Sequence, residues 1–256
     1  MVDEAQNQIT IFEVGARDGL QNEKVMIPTA QKIELINRLS ECGFTKIEAT
    51  AFVSPKWVPQ MADASEVMAG IKRRPEIQYA VLTPNMRETI ERFIPITEAA
   101  EQDGIPVRGY ISCVSDCPYD GPTPPGKVAW MAEKLLAAGC YEISLGDTIG
   151  QATPEKITAM LDAVLQVVPA EKLAGHYHDT SGRALLNIEA SLEKGLRTYD
   201  TSVGGLGGCP YAPGAAGNVA TGAVVEMLHE KGFATNIDLT KLAKVEEFAL
   251  SLRNPS

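Results

Sequence analysis

Hydrophobic positions along the 256-residue chain fall into two alternating patterns. Short β-branched or apolar runs, typical of buried strands, occupy residues 9–15 (ITIFEVG), 46–52 (KIEATAF), 77–84 (IQYAVLTP), 107–113 (VRGYISC), 141–147 (YEISLGD), 172–178 (KLAGHYH) and 198–204 (TYDTSVG). Between them, apolar residues recur at helical spacing. After Pro28-Thr29, the residues Ile33, Ile36, Leu39 and Cys42 face one side, and Gly43 closes the helix. Further helices are predicted within 55–74, near 87–104, over 125–139, 153–168, 184–195 and 217–232, and near 239–252. Several start at proline (Pro28, Pro125, Pro154) and several stop at glycine (Gly43, Gly139, Gly195, Gly232), the usual asymmetry of helix ends.

Strands that return about every 25 to 37 residues, each followed by a helix, build a parallel sheet from βαβ units. The predicted fold is α/β, a TIM-type (β/α) barrel, with a single catalytic domain over 1–256 and a C-terminal helical extension over 233–256. Only seven strands are countable where such a barrel has eight. Nothing between Asn85 and Arg87 can hold another βα unit.

Composition narrows the classes. Hydrophobic residues make up 45% and charged residues 22%, as in soluble globular proteins. The net charge of -10 argues against a nucleic-acid partner, which needs a basic face. It leaves room for an anionic small substrate held by a local cluster such as Arg17, Lys24 and Lys56. No run approaches the length of apolar residues a membrane span needs. The start, MVDEAQNQIT, has neither a secretory nor a transit-peptide pattern. Five scattered cysteines suit a reduced, cytoplasmic protein. Cys113 and Cys117 lack the second pair that a zinc knuckle would need.

In a β/α barrel, chemistry gathers at the carboxyl ends of the strands. There the sequence places Arg17, Asp18 and Gly19 after the first run, Glu48 and Thr50 in the second, Asn85 after the third, Asp147 after the fifth, and His176, His178 and Asp179 at the sixth. His176 and His178 alternate on a strand, so they project from one face. Two such imidazoles suit a divalent metal, and equally two buried, hydrogen-bonded histidines. Asp18 reads as a ligand or as a turn residue. Glu48, inside an apolar run, needs a partner, and Arg17 could form a structural ion pair with it. The glycine-rich loop 204–218 carries Cys209, either a surface thiol or part of a lid. Asn218 reads as a helix cap or a metal ligand. His229 suits the last turn of a helix.

The stretches VGARDGLQNEK (14–24), IEATAFVSPKWVPQMAD (47–63), RGYISCV (108–114), CPYDG (117–121), GCYEISLGDTIG (139–150), GHYHDTSGRALLNI (175–188) and SVGGLGGCPYAPGAAGNVAT (202–221) together resemble the 3-hydroxy-3-methylglutaryl-CoA (HMG-CoA) lyases of the DRE-TIM metallolyase superfamily. The HxHD motif alone would place only the superfamily. The RDGLQNE and cysteine-loop motifs point to the lyase branch. The resemblance implies cleavage of HMG-CoA to acetyl-CoA and acetoacetate with Mg²⁺ or Mn²⁺. It implies metal ligation by Asp18, His176, His178 and Asn218. Catalytic roles would fall to Arg17, Glu48, Asp147, His176 and Cys209, with Arg17 and Lys24 binding substrate. An acyl-CoA is the expected partner, with a homodimer left open.

The resemblance also exposes a departure. TPNMR runs directly into ETIERF, and one complete βα unit of the family pattern is missing after Asn85. Alternatives are a sister lyase on another branched 3-hydroxyacyl-CoA and a variant impaired by loss of a strand. A barrel metallohydrolase fits less well, because its HxH usually stands at the first strand with further histidine ligands.

Overall fold

The computed structural model describes residues 7–82, 94–209 and 212–253. Asn85, at the place of the missing unit, lies outside the described residues. Along the chain the elements are β1 (Gln8–Glu13), α1 (Thr29–Leu39), β2 (Lys46–Ala51), α2 (Ala64–Gly70), β3 (Gln78–Leu82), α3 (Ile94–Gln102), β4 (Arg108–Ile111), β5 (Asp116–Cys117), β6 (Gly121–Pro122), α4 (Pro125–Ala137), β7 (Glu142–Asp147), α5 (Pro154–Val164), β8 (Leu173–Tyr177), α6 (Ala184–Glu193), β9 (Thr198–Thr201), β10 (Gly208–Cys209), β11 (Ala212–Ala216), α7 (Thr221–Glu230), β12 (Ala234–Thr235) and α8 (Leu239–Ser251). Parallel strands alternating with helices, interrupted by the antiparallel pairs β5–β6 and β10–β11, make this an α/β fold of the β/α-barrel type.

The chain divides into two compact units, residues 1–84 with 200–256, and residues 85–199. In the first, β1 pairs in parallel with β2 and with the short β12, and β2 pairs in parallel with β3. In the second, β7 lies between β4 and β8, again in parallel. Strand β9 is divided between them. Its Tyr199 pairs with Gly175 of β8, and its Thr201 carbonyl accepts from the Val14 N–H. The seven strands read from the sequence are all present. Among the described residues, β3 and β4 each have one neighbouring strand.

Helix ends follow the sequence chemistry. Thr153 caps α5 through its hydroxyl and Asp238 caps α8 through its carboxylate. Gly43 sits at φ +99° just past α1, where a Cβ would run into the Asn236 backbone, so no other residue fits that stop.

Several elements differ from the sequence reading. The first strand stops at Glu13, and Gly15–Gly19 coil into a single π-helical turn. Residues 55–63 are turns and a short 3₁₀ segment, and only Ala64–Gly70 is α-helical, because Pro55 and Pro59 break the run. The last βα helix starts at Thr221 rather than at residue 217. The two-residue β5, β6, β10 and β12 carry no periodicity and were not legible.

Candidate functional site

Each unit gathers a set of polar side chains. In the first, the π-helical turn after β1 carries Arg17 and Asp18. All three residues Glu13, Arg17 and Glu48 are buried. Arg17 donates to Glu48 Oε2 from Nε at 2.7 Å and approaches the same oxygen with Nη2 at 2.6 Å. Its Nη1 meets Asp18 Oδ1 at 2.6 Å. Burial pushes the Glu48 carboxyl up, and the Arg17 guanidinium pulls it back down. The sequence offered Glu48 as one half of an ion pair with Arg17, and that pair is formed.

Asn218 joins the same group. Its amide nitrogen donates to Asp18 Oδ2 at 2.7 Å, across 200 positions of sequence, which leaves its oxygen as the ligand-type atom. It lies before α7, whose cap position is Ala220, so the helix-cap reading of Asn218 fails. Gln21 also donates to Asp18 Oδ1, at 2.8 Å. Gly207 is held at φ +107°, and a Cβ there would come within 2.8 Å of the Asn218 amide nitrogen. Lys24 is exposed and joins neither set.

In the second unit, His176 and His178 project from one face of the β8 end, as their spacing predicts. Their Nε2 atoms lie 3.2 Å apart. At that distance one ring can donate a hydrogen bond to the other, according to tautomer, and in the neutral form both Nε2 atoms are of the kind that ligates a cation. Tyr110 of β4 meets His176 edge-on, with ring centroids 6.5 Å apart. Tyr177, between the histidines, points the other way into the core. His176 stands in register with Gly146 of β7, next to Asp147.

Asp147 is fully buried, and among the described residues no ion pair to it is found. Ala152 N–H donates to its Oδ2 at 2.9 Å and the Ser115 hydroxyl approaches Oδ1 at 3.3 Å. Burial pushes its carboxyl up, against the pull of these neutral donors. Neighbouring Asp116 is held by Lys156 Nζ at 2.7 Å on both oxygens.

Cys209 has its backbone in β10, but its side chain lies outside the described residues. Cys42, Cys113, Cys117 and Cys140 are free thiols. His229 closes α7 and meets the Thr235 hydroxyl at 2.9 Å, the helix-end role expected of it.

One buried acid was overlooked. Glu13 ends β1 inside the apolar run ITIFEVG and is fully buried. Burial raises its carboxyl to about 7, offset by hydrogen bonds from Thr221, Val203 and Gly15 and reinforced by the charge of Glu246. The rule that singled out Glu48, an acid in an apolar strand needing a partner, applied equally to Glu13.

A family profile described as HMGL-like matches residues 8–89 and residues 76–249. The two matches overlap across the place where the sequence reading puts the missing βα unit. The chain is 47% identical over 273 aligned residues to "Hydroxymethylglutaryl-CoA lyase, mitochondrial" of Arabidopsis thaliana, covering 94% of this chain and 58% of that protein. It thus spans little more than half the length of that relative. It is 47% identical over 268 residues to a Pseudomonas aeruginosa "3-hydroxy-3-isohexenylglutaryl-CoA/hydroxy-methylglutaryl-CoA lyase", covering 92% of this chain and 89% of that one. Both alignments run longer than the 256 residues of this chain, so part of each relative faces no residue here. The crystal structure of the HMG-CoA lyase from Brucella melitensis matches with a TM-score of 0.95 at 55% identity, over 96% of this chain and 99% of that one.

Proposed function

The chain belongs to the HMGL-like family, and from that premise we propose that it is a carbon–carbon lyase, cleaving HMG-CoA to acetyl-CoA and acetoacetate with a divalent metal. The observation that carries the reading is the meeting of Arg17, Asp18, Glu48 and Asn218 at the end of the first unit. The metal ligands of the reading are Asp18, His176, His178 and Asn218, an oxygen and imidazole set that suits Mg²⁺ or Mn²⁺. A cation bound by these donors supplies Lewis acidity toward the substrate oxygens.

The reaction is a retro-Claisen cleavage. A base takes the proton of the tertiary hydroxyl, the adjacent carbon–carbon bond breaks, and acetoacetate leaves. The remaining thioester enolate then takes a proton at carbon to give acetyl-CoA. Arg17 holds positive charge at the developing enolate oxygen, and Glu48 fixes its orientation through Nε and Nη2. His176 and Asp147 serve the hydroxyl proton, and the Cys209 thiol returns one to the enolate carbon. Lys24, exposed on the surface, meets the anionic acyl-CoA in this reading. The domain is taken as 1–256, and its place as the cytoplasm, in keeping with four free cysteines. Among the described residues no helix is long and apolar enough to cross a membrane.

The test is acetoacetate release from HMG-CoA by the purified chain with Mg²⁺ or Mn²⁺. Turnover that chelator abolishes is expected. No turnover from a chain that melts cooperatively would overturn the reading. A sister activity on a longer branched 3-hydroxyacyl-CoA, suggested by the name of the Pseudomonas relative, would show as a higher kcat/KM on that substrate.

A further inference from the structure

We propose that Glu13 is a positioning residue for the lyase reaction: its buried carboxylate locks together the segments that carry Arg17 and Asp18, the approach to Cys209, and Asn218. The inference rests on the proposed function for its activity readout, but its geometry stands alone.

Three donors meet this one carboxylate. Oε1 accepts from the Gly15 N–H and the Val203 N–H, both at 2.8 Å. Oε2 accepts from the Thr221 hydroxyl at 2.6 Å, and Thr221 also meets the Thr201 hydroxyl at 2.8 Å. Each donor begins a segment of the candidate site. Gly15 opens the π-helical turn that displays Arg17 and Asp18. Val203 opens the 3₁₀ turn Val203–Gly205 on the way to Gly207 and Cys209. Thr221 opens α7, three residues after Asn218. Backbone N–H groups buried without partners are costly, so these donors constrain where each segment can go.

The space around the carboxylate is filled. A Cβ on Gly15 would lie 2.6 Å from Glu13 Oε1 and 2.9 Å from Val203. Among the described residues, the hydrogen bonds of the Glu13 carboxylate go to none of the groups proposed to handle protons or metal. It acts through the backbone of the segments that hold them, and displacements of about 1 Å at such segments cost about 100-fold in rate.

Two conservative variants test the lock. Glu13→Asp keeps the charge but withdraws the carboxylate by one methylene. Glu13→Gln keeps the reach: its oxygen can accept both N–H groups while its NH₂ turns to Thr221. The expected result is a kcat about 100-fold lower for Glu13→Asp, with KM for HMG-CoA within about 3-fold, and kcat largely restored in Glu13→Gln. Mn²⁺ titration by calorimetry, which needs no turnover, should show Glu13→Asp binding about tenfold weaker, because Asp18 and Asn218 have moved. If Glu13→Asp does not fold, Thr221→Val removes one contact of three and should shift kcat and Mn²⁺ affinity the same way by less. Wild-type kcat and Mn²⁺ affinity in the variant used would overturn the inference. So would a lowered melting temperature with kcat per folded molecule unchanged. If the wild-type chain itself releases no acetoacetate, the proposed function fails, and the Mn²⁺ comparison still decides the role of Glu13.

Discussion

Glu48 of β2 and Asp147 of β7 are both buried acids on parallel strands, yet they are held in opposite ways. Glu48 meets a guanidinium through two nitrogens. Asp147 is met by the backbone N–H groups of Ala152 and Gln151 and by the Ser115 hydroxyl. Burial raises both. The difference decides what each can do. A carboxylate paired with a buried cation is a fixed charge that orients its partner. One held by neutral donors can gain and lose a proton without abandoning an ion pair, which is what an acid or base requires.

The largest effect should come from breaking the fixed charge. Arg17→Met leaves Glu48 buried and uncompensated, at a cost of about 3–5 kcal/mol in urea unfolding, and should reduce kcat about 1,000-fold. Adding Glu48→Leu should restore most of the stability and none of the activity. An unchanged unfolding midpoint for Arg17→Met would break the contrast on the Glu48 side.

Next comes the pH dependence of acids held by neutral donors. Glu13 sharpens that class, because burial lifts its folded-state value to about 7 from an ordinary 4.5. An acid whose folded value is raised binds more protons in the folded chain than in the unfolded one. Its favourable contribution is complete below about 4.5 and is lost as pH rises to about 7, roughly 3 kcal/mol in all. Glu13→Gln should flatten that part of the stability profile. Asp147→Asn should do so in the same direction, over a window that starts near 3.8. Parallel profiles for wild type and both variants would show that neutral donors do not leave these acids titratable.

The smallest effect marks the other limit. Arg38 and Glu34 form an ion pair on α1, 2.7 Å apart, with side chains 43% and 48% exposed. Removing it with Glu34→Gln should cost no more than about 0.5 kcal/mol, since water and salt screen such a pair.

Much of this was legible in the sequence. Seven parallel strands, the helices at 125–139 and 153–168 and the facing of His176 and His178 follow from periodicity and the twofold alternation of strands. The π-helical turn at Gly15–Gly19 was not, because GARDG has no periodic signature. The residues alone left Asn218 open between a cap and a ligand for another reason. A lone asparagine before a helical pattern reads equally as a cap, and only the fold brings Asp18 to it. Glu13 was readable as a buried acid needing partners, but its donors are backbone N–H groups and a hydroxyl, which no side-chain motif announces. The departure at Asn85 has its counterpart in the strands. All six residues of β7, flanked by β4 and β8, are buried, whereas the five of β3 are only partly so.

The partners of Glu13 impose a schedule on synthesis. Val203 follows it by 190 positions and Thr221 by 208. A ribosome adding about 5–20 residues per second leaves this carboxylate waiting about 10–40 s for its donors. During that wait β1 and β2 can pair, but the turn bearing Arg17 and Asp18 lacks the anchor that sets it. The first unit is thus completed only as residues 200–256 emerge, and its nascent strands are a stretch of the protein for which a chaperone has time to matter.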